Sequence, residues 1–297
     1  MKPAPFSYHA PETLDELLDL ASTHPDAEFL AGNQSLGIDM ATRTQTPATI
    51  IDLNRVDDLR YIRDGDGTTE IGAMTRHRTV ERSDRLRHRS PLVAEAAGQI
   101  AGPSVRNRGT IGGSIVEGAP AANLPVALLA LDAQVTMTSQ VGERTVDLAT
   151  LIEDEQRTNL QPTEVVTAVA IPTTDDSMDH MGMAFLSCKR AALSWPIINA
   201  AAMVHLSDPT ADPPVIDRAA IALGNATDVP IRITDAEAVV VGNSVTETTL
   251  ERIETAAIDV ADPPDQLHAD RRYKRHLAGV YARRAVVTAV DRAISSA

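Results

Sequence analysis

The sequence predicts an α+β protein of two domains, 1–173 and 180–297. Three observations lead there. At 297 residues the chain is long enough for two domains, and 43% hydrophobic residues can fill two cores. Segments of helical and strand period are mixed through the first part, whereas residues 181–297 read as strands first and helices afterwards. Between them, Val165 to Pro172 reads as a strand closed by proline, and residues 173–180 as a polar connection.

Taken in order, Thr13 and Glu16 have capping-box spacing, and Leu14, Leu17, Leu18 and Ala21 then recur at helical spacing. That helix ends near His24-Pro25-Asp26. Residues 27–30 read as a strand running into Ala31-Gly32-Asn33-Gln34-Ser35, and residues 36–42 as a helix. Strands are expected at 49–53 and 70–73, with a turn at Asp64-Gly65-Asp66-Gly67. Residues 91–101 are helical in pattern and lead into a loop rich in arginine and glycine, Gly102 to Gly118. An apolar helix at 124–131 and a strand at 134–138 follow. In the second part, strands are expected at 181–188, 197–206 and 216–223. The last helix carries Tyr273, Leu277, Val280, Val287, Val290 and Ile294 along one side.

Composition removes several functions. Acidic residues outnumber basic ones 41 to 27, a net charge of −14, and lysine occurs only at Lys2, Lys189 and Lys274. Such a surface lacks the positive field that nucleic acid or anionic lipid requires. It suggests a salt-adapted, halophilic cytoplasm. No stretch approaches the roughly 20 apolar residues of a membrane span, and the N-terminus has no apolar signal core, so a soluble cytoplasmic location is expected. Cys188 is the sole cysteine. It leaves no intramolecular disulfide and no four-cysteine iron-sulfur cluster in this chain, and reads as a small buried hydrophobe. No metal site is expected.

Two glycine runs carry the chemistry: Ala31-Gly32-Asn33-Gln34-Ser35-Leu36 and Arg106-Asn107-Arg108-Gly109-Thr110-Ile111-Gly112-Gly113-Ser114. Glycine permits close backbone approach, so N–H groups can converge on an anion, and Ser35, Thr110 and Ser114 add hydroxyl donors. A helix starting after Ser35 would add its dipole. Either run alone reads equally as a tight turn. Together they suggest a two-sided grip on a diphosphate. Neither has the P-loop lysine nor opens a GxGxxG βαβ unit, which disfavours a nucleoside triphosphatase and an ordinary NAD-binding domain.

These runs, with Ile71-Gly72-Ala73-Met74-Thr75-Arg76-His77 and Pro120-Ala121-Ala122-Asn123-Leu124-Pro125, resemble the medium subunits of the carbon monoxide dehydrogenase and xanthine dehydrogenase family. Ala222-Leu223-Gly224, Pro230, Arg232, Glu237, Gly242 and Tyr273-Lys274-Arg275-His276-Leu277 extend the likeness over nearly the whole chain. The resemblance implies a two-subdomain FAD-binding domain of the vanillyl-alcohol-oxidase (PCMH) type. A smaller α/β domain, like the carbon monoxide dehydrogenase flavoprotein C-terminal domain, would follow. It implies FAD held by Ala31, Gly32, Asn33, Gln34, Ser35 and Leu36 on one side of the diphosphate, and by Thr110, Gly112, Gly113 and Ser114 on the other. Ile100 would lie near the adenine or ribitol part. Val166 would form a wall, and Asn123 stands where relatives carry an acid. Trp195 matches an aromatic that packs on the flavin ring, although a core tryptophan explains a lone indole equally well. His77 reads as structural. Arg106 and Arg108 read as contacts to phosphate or a partner, or as loop arginines fixing the turn.

The implied function is an electron-transfer flavoprotein subunit of a molybdenum hydroxylase with flavin-centred chemistry and no protein nucleophile. Partners would be a small iron-sulfur subunit and a large molybdenum subunit carrying molybdopterin, assembled as a dimer of heterotrimers. Two other readings stay open: a self-sufficient FAD oxidoreductase of the same superfamily, and a scaffold that has lost FAD. Carbon monoxide, a purine and an N-heterocycle are equally compatible substrates.

Overall fold

A computed structural model describes residues 2–173 and 179–295. The predicted connection between the domains falls largely on 174–178, outside the described residues. The fold is α+β, as expected, with three main sheets.

The first sheet has three parallel strands, Ser7–His9, Thr49–Asp52 and Glu28–Leu30, with Thr49–Asp52 in the middle. The helix Leu14–Thr23 buries Leu17 and Ala21, and Leu17 joins the small core there. Thr13 caps that helix by accepting from the Glu16 amide at 3.2 Å, while Glu16 reaches back to the amide of Glu12 at 2.9 Å. The capping box therefore forms with its return arm one residue early.

The second sheet is antiparallel, in the order Ile62–Asp64, Thr68–Gly72, Val165–Pro172, Gln134–Ser139 and Gly142–Asp147. Its central strand is the last in sequence. Val165–Pro172 thereby ties distant segments into one layer, pairing Val169 with both Ile71 and Val135. The third sheet, Met181–Lys189, Pro196–Leu206, Ile216–Gly224 and Ile231–Arg232, is also antiparallel. Helices Pro91–Gly98 and Asn123–Leu129 lie between these two sheets. One core consequently runs from Ile71, Val135 and Val169 through Leu92 and Leu128 to Met183, Phe185 and Ala201.

Three expectations need correction. The arginine- and glycine-rich loop at 102–118 contains two short helices, Pro103–Arg106 and Ile111–Glu117. Thr110 caps the second by accepting from the Gly113 amide at 3.1 Å, so the glycines there form a helix's first turn. The last helix, Arg271–Ser295, buries Leu277 and Val290 of the stripe read off its large apolar residues, but its buried face is otherwise made of small ones. Tyr273 and Ile294 are exposed, while Ala278, Gly279, Ala282, Ala285 and Ala289 are buried. Close packing explains this, because a β-carbon on Gly182 would collide with the Ala289 carbonyl, leaving room only for small residues. Cys188, expected to be buried, is only partly so. Among the described residues, no helix is long and apolar enough to cross a membrane.

Candidate functional site

A single cavity of about 680 Å³ collects both glycine runs. The first passes directly over the second. A β-carbon on Gly32 would sit 2.6 Å from the Arg108 carbonyl oxygen and from Gly109 Cα, so glycine at 32 is what lets the backbones touch. Asn33 holds a left-handed φ of 58°, a conformation asparagine tolerates better than most. Its side chain folds over Gly37.

The two runs are not equivalent. In the second, the amide of Gly112 donates to Ala73 O at 2.9 Å, Gly113 to Thr110 Oγ1 at 3.1 Å and Ser114 to Thr110 O at 3.0 Å. Those donors are spent on capping and packing. The amides of Asn33, Gln34 and Ser35 donate to no protein acceptor among the described residues. A backbone cradle for an anion is thus available from 33–35, and the second run supplies hydroxyls and a bare surface. Thr110 accepts from Gly113 and keeps its own proton to give.

All the residues singled out in the sequence line this cavity: Ala31 to Leu36, Ile100, Thr110, Gly112, Gly113, Ser114, Asn123, Val166 and Trp195. Trp195 is 60% exposed and stands beside Leu193, which excludes a core tryptophan. Asn123 is buried, donates from Nδ2 to Ala96 O at 3.1 Å and accepts at Oδ1 from Asn199 Nδ2 at 3.2 Å. It is a link between the helices and the third sheet, with one amide hydrogen and one lone pair left for a ligand. Arg106 fixes the turn, donating from Nη1 to Ile100 O at 2.7 Å and Ala101 O at 2.9 Å and pairing with Glu81. Arg108 is exposed.

Sequence reasoning missed three wall residues, and read a fourth, His77, as structural. Glu117 accepts from Ser35 Oγ at 2.6 Å, and burial raises its carboxyl pKa. Lys189 donates to the Gln99 carbonyl, and burial lowers its pKa. Glu164 also lines the cavity, held below the usual carboxylate range by Arg144. His77 is 5% exposed, and burial, with Arg76 and Arg106 nearby, lowers its pKa to about 4. Its Nδ1 has no partner among the described residues. Lys189 left a trace in the sequence as one of three lysines, and His77 as the end of the Ile71–His77 motif.

Residues 4–174 match the family described as the FAD binding domain in molybdopterin dehydrogenase, and residues 183–289 match the CO dehydrogenase flavoprotein C-terminal domain. The chain belongs to the FAD-binding medium subunits of the molybdenum hydroxylases. This medium subunit is 34% identical to the 6-hydroxypseudooxynicotine dehydrogenase complex subunit alpha of Paenarthrobacter nicotinovorans, over 99% of this chain and 97% of that one. It is 33% identical to the carbon monoxide dehydrogenase medium chain of Hydrogenophaga pseudoflava, over 96% and 97% respectively. A solved carbon monoxide dehydrogenase from Hydrogenophaga pseudoflava, which lacks the Mo-pyranopterin moiety of the molybdenum cofactor, superposes with a TM-score of 0.93. That match has 34% identity and covers 98% of this chain and 99% of the other. FAD is the medium subunit's cofactor. Its cavity fits that group: free amides at 33–35, hydroxyls at Thr110 and Ser114, and a flat indole at its edge.

Proposed function

We propose that the chain holds FAD in this cavity and works as the electron-transfer subunit of a molybdenum hydroxylase complex. The observation that carries this is the direct contact of Gly32 with Arg108 and Gly109, which joins two glycine runs about 75 positions apart into one cavity wall. Domains 1–173 and 180–297 would then act as the cofactor binder and its cover.

Each wall residue has a task in this reading. Asn33, Gln34 and Ser35 present amides to the diphosphate, with Ala31, Gly32 and Leu36 shaping that side. Thr110 and Ser114 donate hydroxyls from the other side, and Gly112 and Gly113 keep the wall free of side chains. Ile100, Val166 and Trp195 give the ring apolar neighbours, and Asn123 keeps a polar contact. When bound, FAD would supply a carrier that takes electrons singly and releases them as a pair. The protein orients that carrier and excludes water from it.

Electrons would come from iron-sulfur clusters of a small subunit, fed by a large molybdenum subunit, in a dimer of heterotrimers. An external acceptor would take them away. Relatives named for carbon monoxide, nicotine-derived and xanthine substrates share this chain's layout, so substrate choice would reside in the large subunit. The acidic, lysine-poor composition supports a salt-adapted cytoplasm, and unchanged stability without molar salt would remove that part.

The test is a visible spectrum of the purified chain, with and without added FAD, followed by turnover assays alone and with co-purifying polypeptides. Stoichiometric FAD and no substrate turnover by the chain alone are expected. Failure to retain FAD would overturn the assignment, and turnover without partners would overturn the subunit role.

A further inference from the structure

Ser35 and Glu117 meet across the two glycine segments, and both line the cavity. Ser35 Oγ donates to Glu117 Oε1 at 2.6 Å. A serine hydroxyl has one proton to give. While Glu117 is ionised that proton is committed to the carboxylate, and Ser35 offers other groups only lone pairs. Such a serine repels a phosphate oxygen. Once Glu117 is protonated, its O–H donates to Ser35 Oγ, and Ser35 can turn its own proton to an anion.

Charge works in the same direction. Burial, then Asp39 on the helix Leu36–Thr42, raise the Glu117 pKa against the lowering effect of Ser35. No cation is among the groups that shift it, and Lys189, the cation that also lines the cavity, donates to the Gln99 carbonyl. Arg157, on a strand packed against the Glu117 helix, is engaged by Glu153 and Asp154, and Glu164 before the neighbouring strand is matched by Arg144. The adjacent helix Asn123–Leu129 carries no charged side chain. An ionised Glu117 beside a diphosphate would place like charges in one half-buried cleft.

We propose that Glu117 takes up one proton from solvent when the cavity accepts a diphosphate, with Ser35 switching its hydroxyl from Glu117 to the phosphate, so that FAD capture is proton-linked. No other bond changes. This rests on the assignment of the cavity to FAD.

The test uses the apo chain titrated with FAD between about pH 6 and about pH 9, where the diphosphate stays fully ionised. Binding is followed by flavin fluorescence and by calorimetry in two buffers of different ionisation enthalpy. Above the Glu117 pKa of the free chain, Kd should rise by up to about tenfold per pH unit, with up to one proton taken up per FAD. Glu117→Gln, whose amide donates to Ser35 permanently, should bind with a flat pH profile at the affinity the natural chain shows at low pH, and without that uptake. FAD binding by the natural chain with a flat profile and buffer-independent heats would overturn the proposal while leaving the cavity assignment intact. Absence of FAD binding at every pH would overturn both.

Discussion

Lys274 Nζ, fully buried, donates to Asn225 Oδ1 at 3.0 Å. Asn225 in turn donates from Nδ2 to the carbonyls of Pro196 at 3.1 Å and Ile197 at 3.0 Å, and its amide donates to Pro120 at 2.7 Å. One lysine of the last helix thus fixes both the residue after Trp195 and the segment leading to Asn123. Burial lowers its pKa to about 8 from 10.5. Between those values the unfolded chain binds the proton and the folded one does not, so this group makes stability rise with pH across that window by close to 1.4 kcal/mol per unit. Lys274→Met should remove that rise in urea-unfolding measurements at pH 7 to pH 10. It should also red-shift Trp195 emission, an unambiguous signal because the chain has one tryptophan.

His77 works in the acid range. Its folded pKa of about 4 lies below the ordinary 6.5, so it stabilises the fold fully above about pH 6.5 and progressively less as pH falls toward 4. The loss should approach about 3 kcal/mol, with burial its main cause. His77→Asn is expected to flatten the decline between pH 6 and pH 4 in denaturant midpoints. An unchanged slope would show that another group controls it.

At Gly32, substitution by alanine drives a β-carbon into the Arg108 carbonyl and Gly109 Cα, both backbone atoms that cannot swing aside. The two runs must part. Gly32→Ala should therefore weaken FAD retention about tenfold or more, equivalent to about 1.4 kcal/mol, while the circular dichroism spectrum stays natural. The ratio of flavin to protein absorbance after desalting reads this directly.

Glu95 and Arg292 clasp the two parts of the molecule. Arg292 Nη1 and Nη2 donate to the carboxylate at 2.8 and 3.1 Å, and the same carboxylate accepts from the Phe185 amide at 3.2 Å. The pair is partly exposed, so a double-mutant cycle of Glu95→Gln and Arg292→Met should return a coupling of only about 0.5–1 kcal/mol, shrinking with salt. Each single substitution also strands a backbone group, Glu95→Ala the Phe185 amide and Arg292→Met the Met183 carbonyl, so each should cost more than that coupling.

Ala101 borders the cavity with φ of 35°, in the region that favours glycine. Arg106 holds it there through its carbonyl. Ala101→Gly should raise stability by about 0.5–1 kcal/mol, and thermal unfolding would detect it.

What the amino-acid order determined by itself was local or pattern-borne. Thr13, Leu17 and Ala21 specify their helix, residues 36–42 theirs, and the apolar runs at 165–172 and 216–223 their strands, because hydrogen bonding and side-chain periodicity act over a few residues. The wall residues from Ala31 to Leu36 and from Thr110 to Ser114 were legible as glycine and hydroxyl clusters. Tertiary structure alone decided what those clusters meet. Nothing in the order of residues reveals that Gly32 rests on Arg108, that Thr110 spends the Gly113 amide on a cap, or that Glu117 accepts a hydrogen bond from Ser35. The buried face of the last helix was legible only at Leu277 and Val290, since which side packs depends on the shape of Gly182 and Gly279 opposite their neighbours, and large apolar residues such as Tyr273 can point outward. Pairings across 80 or more positions are settled by chain closure and packing, which no local window contains.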